Sequence, residues 1–163
     1  MEETSDFVEL KLPAKPEYVG VVRLTISGIA NRLGYSYEDI EDIKVAVAEA
    51  CTNVVKHAYD EDAENPQMRI TSVIYNDRLE ISVIDQGGNI DIEEFNEERG
   101  PIYPNEPINQ LKEGGLGLYL IETLMDKVEV KINTGVELIM TKFLRRIEVE
   151  QGDDSIAKEI SNE

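Results

Sequence analysis

The sequence is poor in cysteine and in basic residues, and it contains no tryptophan. Cys51 is the only cysteine, which excludes a disulfide framework and favours a reducing compartment. No stretch approaches the roughly 18 apolar residues that a membrane-spanning helix needs. The acidic start, MEETSDFVEL, has no apolar signal-peptide segment. We therefore expect a cytoplasmic protein that is not inserted in a membrane.

The scarcity of positive charge narrows the classes of partner. Sixteen Lys and Arg residues stand against thirty-four Asp and Glu residues, which gives a formal net charge of -18. Nucleic-acid binding requires Lys and Arg to displace counterions from phosphates, so we expect no nucleic-acid partner. An anionic membrane surface is disfavoured for the same reason. A protein partner with a basic patch would instead be attracted.

The hydrophobic pattern of the first part of the chain predicts a strand and two helices. Residues 7–14 alternate apolar and polar side chains, whereas residues 16–34 have helical spacing and end at Gly34. Ser36 and Asp39 then have the spacing of a capping box, with Asp in place of Glu. The helix that follows has a continuous apolar face, formed by Ile40, Ile43, Val47, Ala50, Val54 and Ala58.

Two hairpins, a long polar segment and a third helix are predicted in the remainder. The hairpins turn near Asn76-Asp77 and near residues 133–135. Residues 87–114 contain three prolines and predict a functional lid or a disordered loop, and residues 148–163 form an acidic tail that we expect to be flexible. The fold class is thus an α+β two-layer sandwich in one domain, residues 1–147. A mixed, largely antiparallel sheet would be covered on one face by three helices.

Three polar residues lie within the second helix at a spacing of four: Glu49, Asn53 and His57. A helical wheel places them along one flank of the apolar face. An ordinary interpretation is a solvated boundary stripe. The alternative is a catalytic carboxylate beside a metal-binding amide.

The segment SVIDQGGN brings a carboxylate to the end of an apolar strand. Asp85 is followed within two residues by Gly87. A carboxylate beside residues without side chains could accept hydrogen bonds from a flat heterocycle that enters edge-on. Asp and Gly also favour turns, which is the structural alternative.

The segment EGGLGLYLI carries Gly114, Gly115 and Gly117 into the third helix. Exposed backbone N–H groups at the positive end of a helix form a phosphate-binding site. The segment does not match a Walker motif or the dinucleotide-binding fingerprint. A glycine-rich helix cap is the structural alternative.

Taken in this order, the three segments resemble the GHKL ATPase/kinase superfamily, over about residues 7–146. The resemblance implies the Bergerat ATP-binding fold. It places Glu49 and Asn53 in the N box, Asp85 and Gly87 in the first glycine box, and Gly115 and Gly117 in the second.

Within this superfamily, AEACTNVVKHAY and GGLGLYLIETLMD are most similar to the stand-alone anti-sigma factor serine-protein kinases of the sigma-B type. The resemblance implies that Glu49 is the base that acts on the attacking serine hydroxyl. Asn53 would bind Mg²⁺ through its amide oxygen, and Asp85 would recognise the adenine amino group. The glycines that would line the ATP site are Gly87, Gly114, Gly115 and Gly117. His57 would be a structural neighbour.

Two positions depart from the family pattern. Asn89 stands where a second glycine is usual, and Gly135-Val136-Glu137 replaces a usual Gly-Thr-Thr. We therefore assign no adenine contact to the last hairpin.

The resemblance implies an ATP-dependent kinase that sequesters a sigma factor and phosphorylates a serine on an anti-anti-sigma protein. It also implies a homodimer, for which residues 7–34 are the surface indicated by elimination, since they carry no motif residue. The alternative is a nucleotide-binding adaptor that sequesters a partner without transferring phosphate. Retention of Glu49 argues against the adaptor, because binding alone does not need that carboxylate.

Overall fold

The computed structural model describes residues 5–60, 62, 64–85, 113–132 and 135–145, with only the backbone of residues 113–116. Residues 87–112 of the predicted lid, including Gly87 and Asn89, lie outside the described residues, as does the predicted tail. None of the described helices is both long enough and apolar enough to cross a membrane.

The elements follow the predicted order. The strands are β1 (Asp6–Pro13), β2 (Gln67–Ile74), β3 (Arg78–Asp85), β4 (Lys127–Ile132) and β5 (Val136–Phe143). The helices are a 3-10 turn (Pro16–Tyr18), α1 (Val19–Leu33), α2 (Tyr37–Asp60) and α3 (Glu113–Leu124). One boundary differs from the prediction: α3 begins at Glu113, so the glycines expected to precede the helix lie in its first turns.

The strands form one sheet in the order β1-β2-β3-β5-β4. All four pairings are antiparallel, so the described strands contain no parallel pair of the kind that a mixed sheet would have. The first hairpin closes where predicted, with the N–H of Tyr75 donating to the carbonyl of Arg78 at 3.0 Å. The α+β class with three helices and a sheet is confirmed.

The connection between α1 and α2 depends on two capping residues that the sequence indicated. Gly34 adopts a left-handed conformation, with φ at 94°, and its N–H donates to the carbonyls of Ala30 and Asn31. Glycine reaches this φ without the steric penalty of a side chain. Ser36 Oγ then accepts the N–H of Asp39 at 3.1 Å, which caps the start of α2.

The core lies between the helices and one face of the sheet. Along β3, residues 79, 81, 83 and 85 are buried and alternate with half-buried ones, as the period of two requires. The predicted face of α2 packs here, with Ile40 half-buried and the others buried. The remaining residues of that face are Ile43, Val47, Ala50, Val54 and Ala58.

A buried lysine joins three elements at one end of this core. Lys142 of β5 is 6% exposed, and its Nζ donates to the carbonyl of Leu124 at the C-terminus of α3 at 2.5 Å. The same Nζ lies 3.8 Å from a carboxylate oxygen of Asp39 and of Asp42, in the first turns of α2. A cation at a helix C-terminus is favourable, so this contact holds α2 and α3 against the sheet.

Cys51 should be unreactive in the folded protein. The residue is fully buried on α2, and burial raises the pKa of its thiol to about 12. At pH 8 the folded protein then holds almost no thiolate, whereas an unfolded thiol, with a pKa of about 8.5, is roughly one quarter ionised. We expect a disulfide reagent to label no thiol in buffer and one per chain in guanidinium chloride. Complete labelling of the folded protein within minutes would contradict this burial.

Candidate functional site

The polar stripe of α2 lies where the helical wheel predicts, on the flank of the buried face. Glu49, Asn53 and His57 are all half-buried, while the neighbouring Ala50 and Val54 are buried. The packing of the apolar face determines the rotation of α2, so the stripe has a fixed direction relative to the sheet. It is therefore a partly desolvated edge of the core.

Gly117 of α3 lies directly against this stripe. A Cβ built on Gly117 would lie 3.3 Å from Glu49 Oε2 and 3.7 Å from both Asn53 Oδ1 and Asn53 Nδ2. Because residue 117 has no side chain, the backbone of α3 lies close to these two polar groups with nothing between them. The structure thus brings a residue predicted for the second glycine box to the two residues predicted for the N box.

Asp85 ends β3 on the helix-covered face of the sheet. It is 6% exposed. Its partners in register are Met68 on β2 and Val136 on β5, and both are buried apolar residues. The carboxylate therefore lies at the end of the central strand, where the core ends. It is at the other end of the polar stripe from Glu49.

His57 links the stripe to Asp85. Its Nδ1 lies 2.9 Å from Asp85 Oδ2. Sequence reasoning gave His57 no chemical role, because residues 57 and 85 are far apart in the chain and no spacing rule connects them. The spacing of four after Asn53 was the only available signal, and it placed His57 on the correct flank without indicating its partner.

The structure brings together Glu49, Asn53 and Gly117 at one end of the stripe, and His57 and Asp85 at the other. The predicted positions Gly114 and Gly115 lie in the first turn of α3, at the positive end of a helix. Such an end favours anions, as their predicted role requires.

The donor set at Gly117 suits a hard cation that arrives with a nucleotide. Asn53 and Glu49 offer oxygen atoms, which Mg²⁺ prefers, and Mg²⁺ usually keeps waters and phosphate oxygens as its other ligands. Among the residues the structure describes, no group of three or more His, Cys, Asp or Glu side chains is arranged to hold a metal. Two side chains with oxygen atoms beside the first turns of a helix fit a site that Mg²⁺ would share with phosphates.

Comparisons with known proteins match one family over most of the chain. Residues 12–142 match the family described as "Histidine kinase-like ATPase domain". The chain is 61% identical to the serine-protein kinase RsbW of Halalkalibacterium halodurans over 150 residues, which cover 92% of this chain and 91% of that protein. It is 51% identical to the serine-protein kinase RsbW of Bacillus subtilis over 144 residues, which cover 88% and 89%.

A solved structure shares the fold. It contains the RsbU and RsbW domains of a Mycobacterium tuberculosis protein and superposes with a TM-score of 0.60 at 19% identity. The match covers 86% of this chain and 33% of that longer one. At this identity the likeness concerns the fold alone.

Gly117→Ala should impair the site without unfolding the protein. The new methyl group would press on the ends of two flexible side chains, which can move, and alanine favours a helix by up to about 1 kcal/mol over glycine. Displacing Glu49 and Asn53 should lower phosphotransfer from Mg-ATP by roughly 10- to 100-fold. Steady-state kinetics and thermal unfolding measure the two effects.

Gly28→Ala is the matched control, because an added Cβ meets nothing within 4 Å at that position of α1. It should show the same gain in stability with unchanged Mg-ATP turnover. Wild-type turnover in Gly117→Ala would contradict the close packing of Gly117 against Glu49 and Asn53.

Proposed function

Because the chain belongs to the histidine kinase-like ATPase domain family, we propose that it is an ATP-dependent serine-protein kinase that also acts as an anti-sigma factor. The observation that carries the proposal is the meeting of Glu49, Asn53 and Gly117. In this proposal Glu49 is the base, Asn53 is the magnesium ligand, and Gly117 leaves the space beside them in which a phosphoryl group would be bound.

The reaction is transfer of the γ-phosphoryl group of ATP to a serine hydroxyl. Such transfer depends mainly on positioning and on neutralising charge. Glu49 is placed to orient the serine hydroxyl and accept its proton, provided the hydroxyl comes within hydrogen-bonding reach of the carboxylate. Asn53 holds the magnesium ion, whose charge offsets that of the phosphates. Asp85 accepts a hydrogen bond from the adenine amino group.

The glycines have distinct parts in this proposal. Gly117 leaves room for Glu49 and Asn53 beside α3. Gly114 and Gly115 allow the first turn of α3 to approach the phosphates, whose negative charge suits the helix N-terminus. Gly87, outside the described residues, keeps its predicted place in the first glycine box.

The substrate proposed for the kinase is an anti-anti-sigma protein, and the sequestered partner is a sigma factor of the sigma-B type. Partner choice would then switch stress-response transcription, in the cytoplasm. The net charge of -18 is compatible with a basic patch on the sigma factor. A non-catalytic adaptor fits less well, because the curated relatives are named as kinases.

Glu49→Ala should separate the two activities. Loss of a positioned general base lowers a rate by roughly 100- to 10,000-fold. We expect mass spectrometry to detect little phosphoserine on the anti-anti-sigma protein after incubation with the variant and Mg-ATP. Pull-down of the sigma factor by the same variant should remain at the wild-type level, because that binding needs no proton transfer.

Glu41→Ala is the matched control: it removes a carboxylate from the same helix, where Glu41 pairs with Lys44 on the surface. Phosphorylation by this variant should equal that of the wild type. Wild-type phosphorylation by Glu49→Ala would exclude the role assigned to Glu49, and simultaneous loss of sigma-factor binding would show that the two activities are inseparable.

The same family resemblance supports a homodimer, with residues 7–34 as the contact surface. Phe7, Val21 and Leu24 in this segment are 59%, 44% and 75% exposed, and an apolar contact between two copies would cover such side chains. Light scattering should give twice the chain mass of 18.4 kDa. Leu24→Asp should shift the mass towards that of a monomer, whereas Glu17→Asp, on the same segment, should not. A wild-type monomer at tens of micromolar would refute the dimer.

A further inference from the structure

We propose that His57 is a positioning residue for base recognition, which holds the Asp85 carboxylate in the orientation that accepts the adenine amino group. The inference rests on the proposed ATP-dependent function. It goes beyond that function because it assigns nucleotide selectivity to a residue that touches Asp85 and belongs to neither the phosphate nor the magnesium contacts.

The proposed role determines the direction of the hydrogen bond, because a carboxylate that accepts the adenine amino group through either oxygen must be ionised. An ionised carboxylate only accepts hydrogen bonds, so His57 Nδ1 carries the hydrogen and donates it to Asp85 Oδ2, 2.9 Å away. The imidazole therefore carries a proton on Nδ1, whichever charge state it has. A hydrogen bond to a charged acceptor is stronger than one between neutral groups.

The orientation of a carboxylate needs such support. The terminal torsion of aspartate has a broad minimum, so the backbone of β3 alone does not determine the plane of the Asp85 carboxylate. Its partners in register, Met68 and Val136, are apolar and have no side-chain donor to offer a carboxylate. The donor that His57 supplies from the helical layer selects one rotation of the group.

The burial of the pair increases the value of a fixed orientation. The side chain of Asp85 is 9% exposed and that of His57 is 31% exposed, so their contact lies largely out of water. Hydrogen bonds are stronger electrostatically in such surroundings than in water. A carboxylate that is already oriented when adenine arrives avoids the loss of conformational entropy that ordering it on binding would cost.

The chemistry allows one carboxylate to serve both partners. An ionised carboxylate has about four lone-pair positions, so acceptance from His57 leaves capacity for the amino group of adenine. A purine with a carbonyl at position 6 would present an acceptor to an acceptor, and a purine with hydrogen there would leave the carboxylate unmatched. His57 should therefore affect the preference for a 6-amino purine more than the affinity for triphosphate.

The test compares two nucleotides on three proteins. The nucleotides are Mg-ATP and the magnesium complex of purine riboside triphosphate, which lacks the 6-amino group. The proteins are the wild type and the pair His57→Asn and His57→Leu, two side chains of similar size. Asparagine keeps an N–H near the position of Nδ1, and leucine does not. Calorimetry gives the dissociation constants, and thermal unfolding shows that the variants are folded.

The wild type should prefer ATP. In His57→Leu the affinity for ATP should fall about tenfold and that for the analogue less than about twofold, as expected for loss of one charge-assisted hydrogen bond. His57→Asn should restore the preference to within about threefold. Two further proteins, Asp85→Asn and its combination with His57→Leu, complete the comparison. In the Asp85→Asn protein the leucine substitution should lower the affinity for ATP little further, because the two residues act as one unit.

Two results would overturn the inference: a preference for ATP in His57→Leu equal to that of the wild type, or full additivity with Asp85→Asn. If His57→Leu does not fold, His57→Ala replaces it in the same comparison with His57→Asn. A wild type that binds neither nucleotide would refute the proposed function itself. A wild type that prefers ATP, with a leucine variant whose preference is as large, would refute only the role of His57.

Discussion

The site depends on how α2 is rotated about its own axis. Burial of Ile43, Val47 and Val54 against the sheet leaves the helix one orientation, because each of these side chains would lose about 1.5–3 kcal/mol of burial energy if exposed. The same rotation directs the polar stripe along one flank of α2. Hydrophobic packing thus aims the functional groups, and hydrogen bonds refine their positions.

The two ends of α2 show how the same layer treats buried charge. Lys142 and Asp85 lie on the helix-covered face of the sheet, at opposite ends of β3 in register, since Leu79 pairs with Lys142. The lysine meets a helix C-terminus and the carboxylates of Asp39 and Asp42, groups that belong to the scaffold. Asp85 instead meets His57, on the flank that carries Glu49 and Asn53. The charge of Lys142 thus stabilises the packing of the helices on the sheet, whereas Asp85 lies at the candidate site.

Much of the fold was predictable from local sequence patterns, and the features that were not predicted have a common cause. Gly34 and Ser36 determine helix ends through their own backbone and side-chain geometry, and the turn at Asn76-Asp77 closes a hairpin between its neighbours, so short windows of sequence suffice. The start of α3 was wrong by a few residues because glycines suggest a loop, whereas α3 packs against α2 and continues through them. The contact of His57 with Asp85 depends on the register of β3 beneath α2, which no local spacing encodes. The roles of individual site residues remain predictions.

Gly117 explains why a helix with a weak local preference persists at this place. Glycine destabilises a helix interior by about 0.5–1 kcal/mol relative to alanine, so alanine there would favour α3. Alanine would also place a methyl group 3.3 Å from Glu49 Oε2, in the space that the carboxylate needs. A residue that is poor for the helix is therefore the one that lets the helix backbone reach Glu49 and Asn53. Gly117 therefore lowers the stability of α3 at its contact with α2. The burial of the apolar face of α2 compensates for this loss.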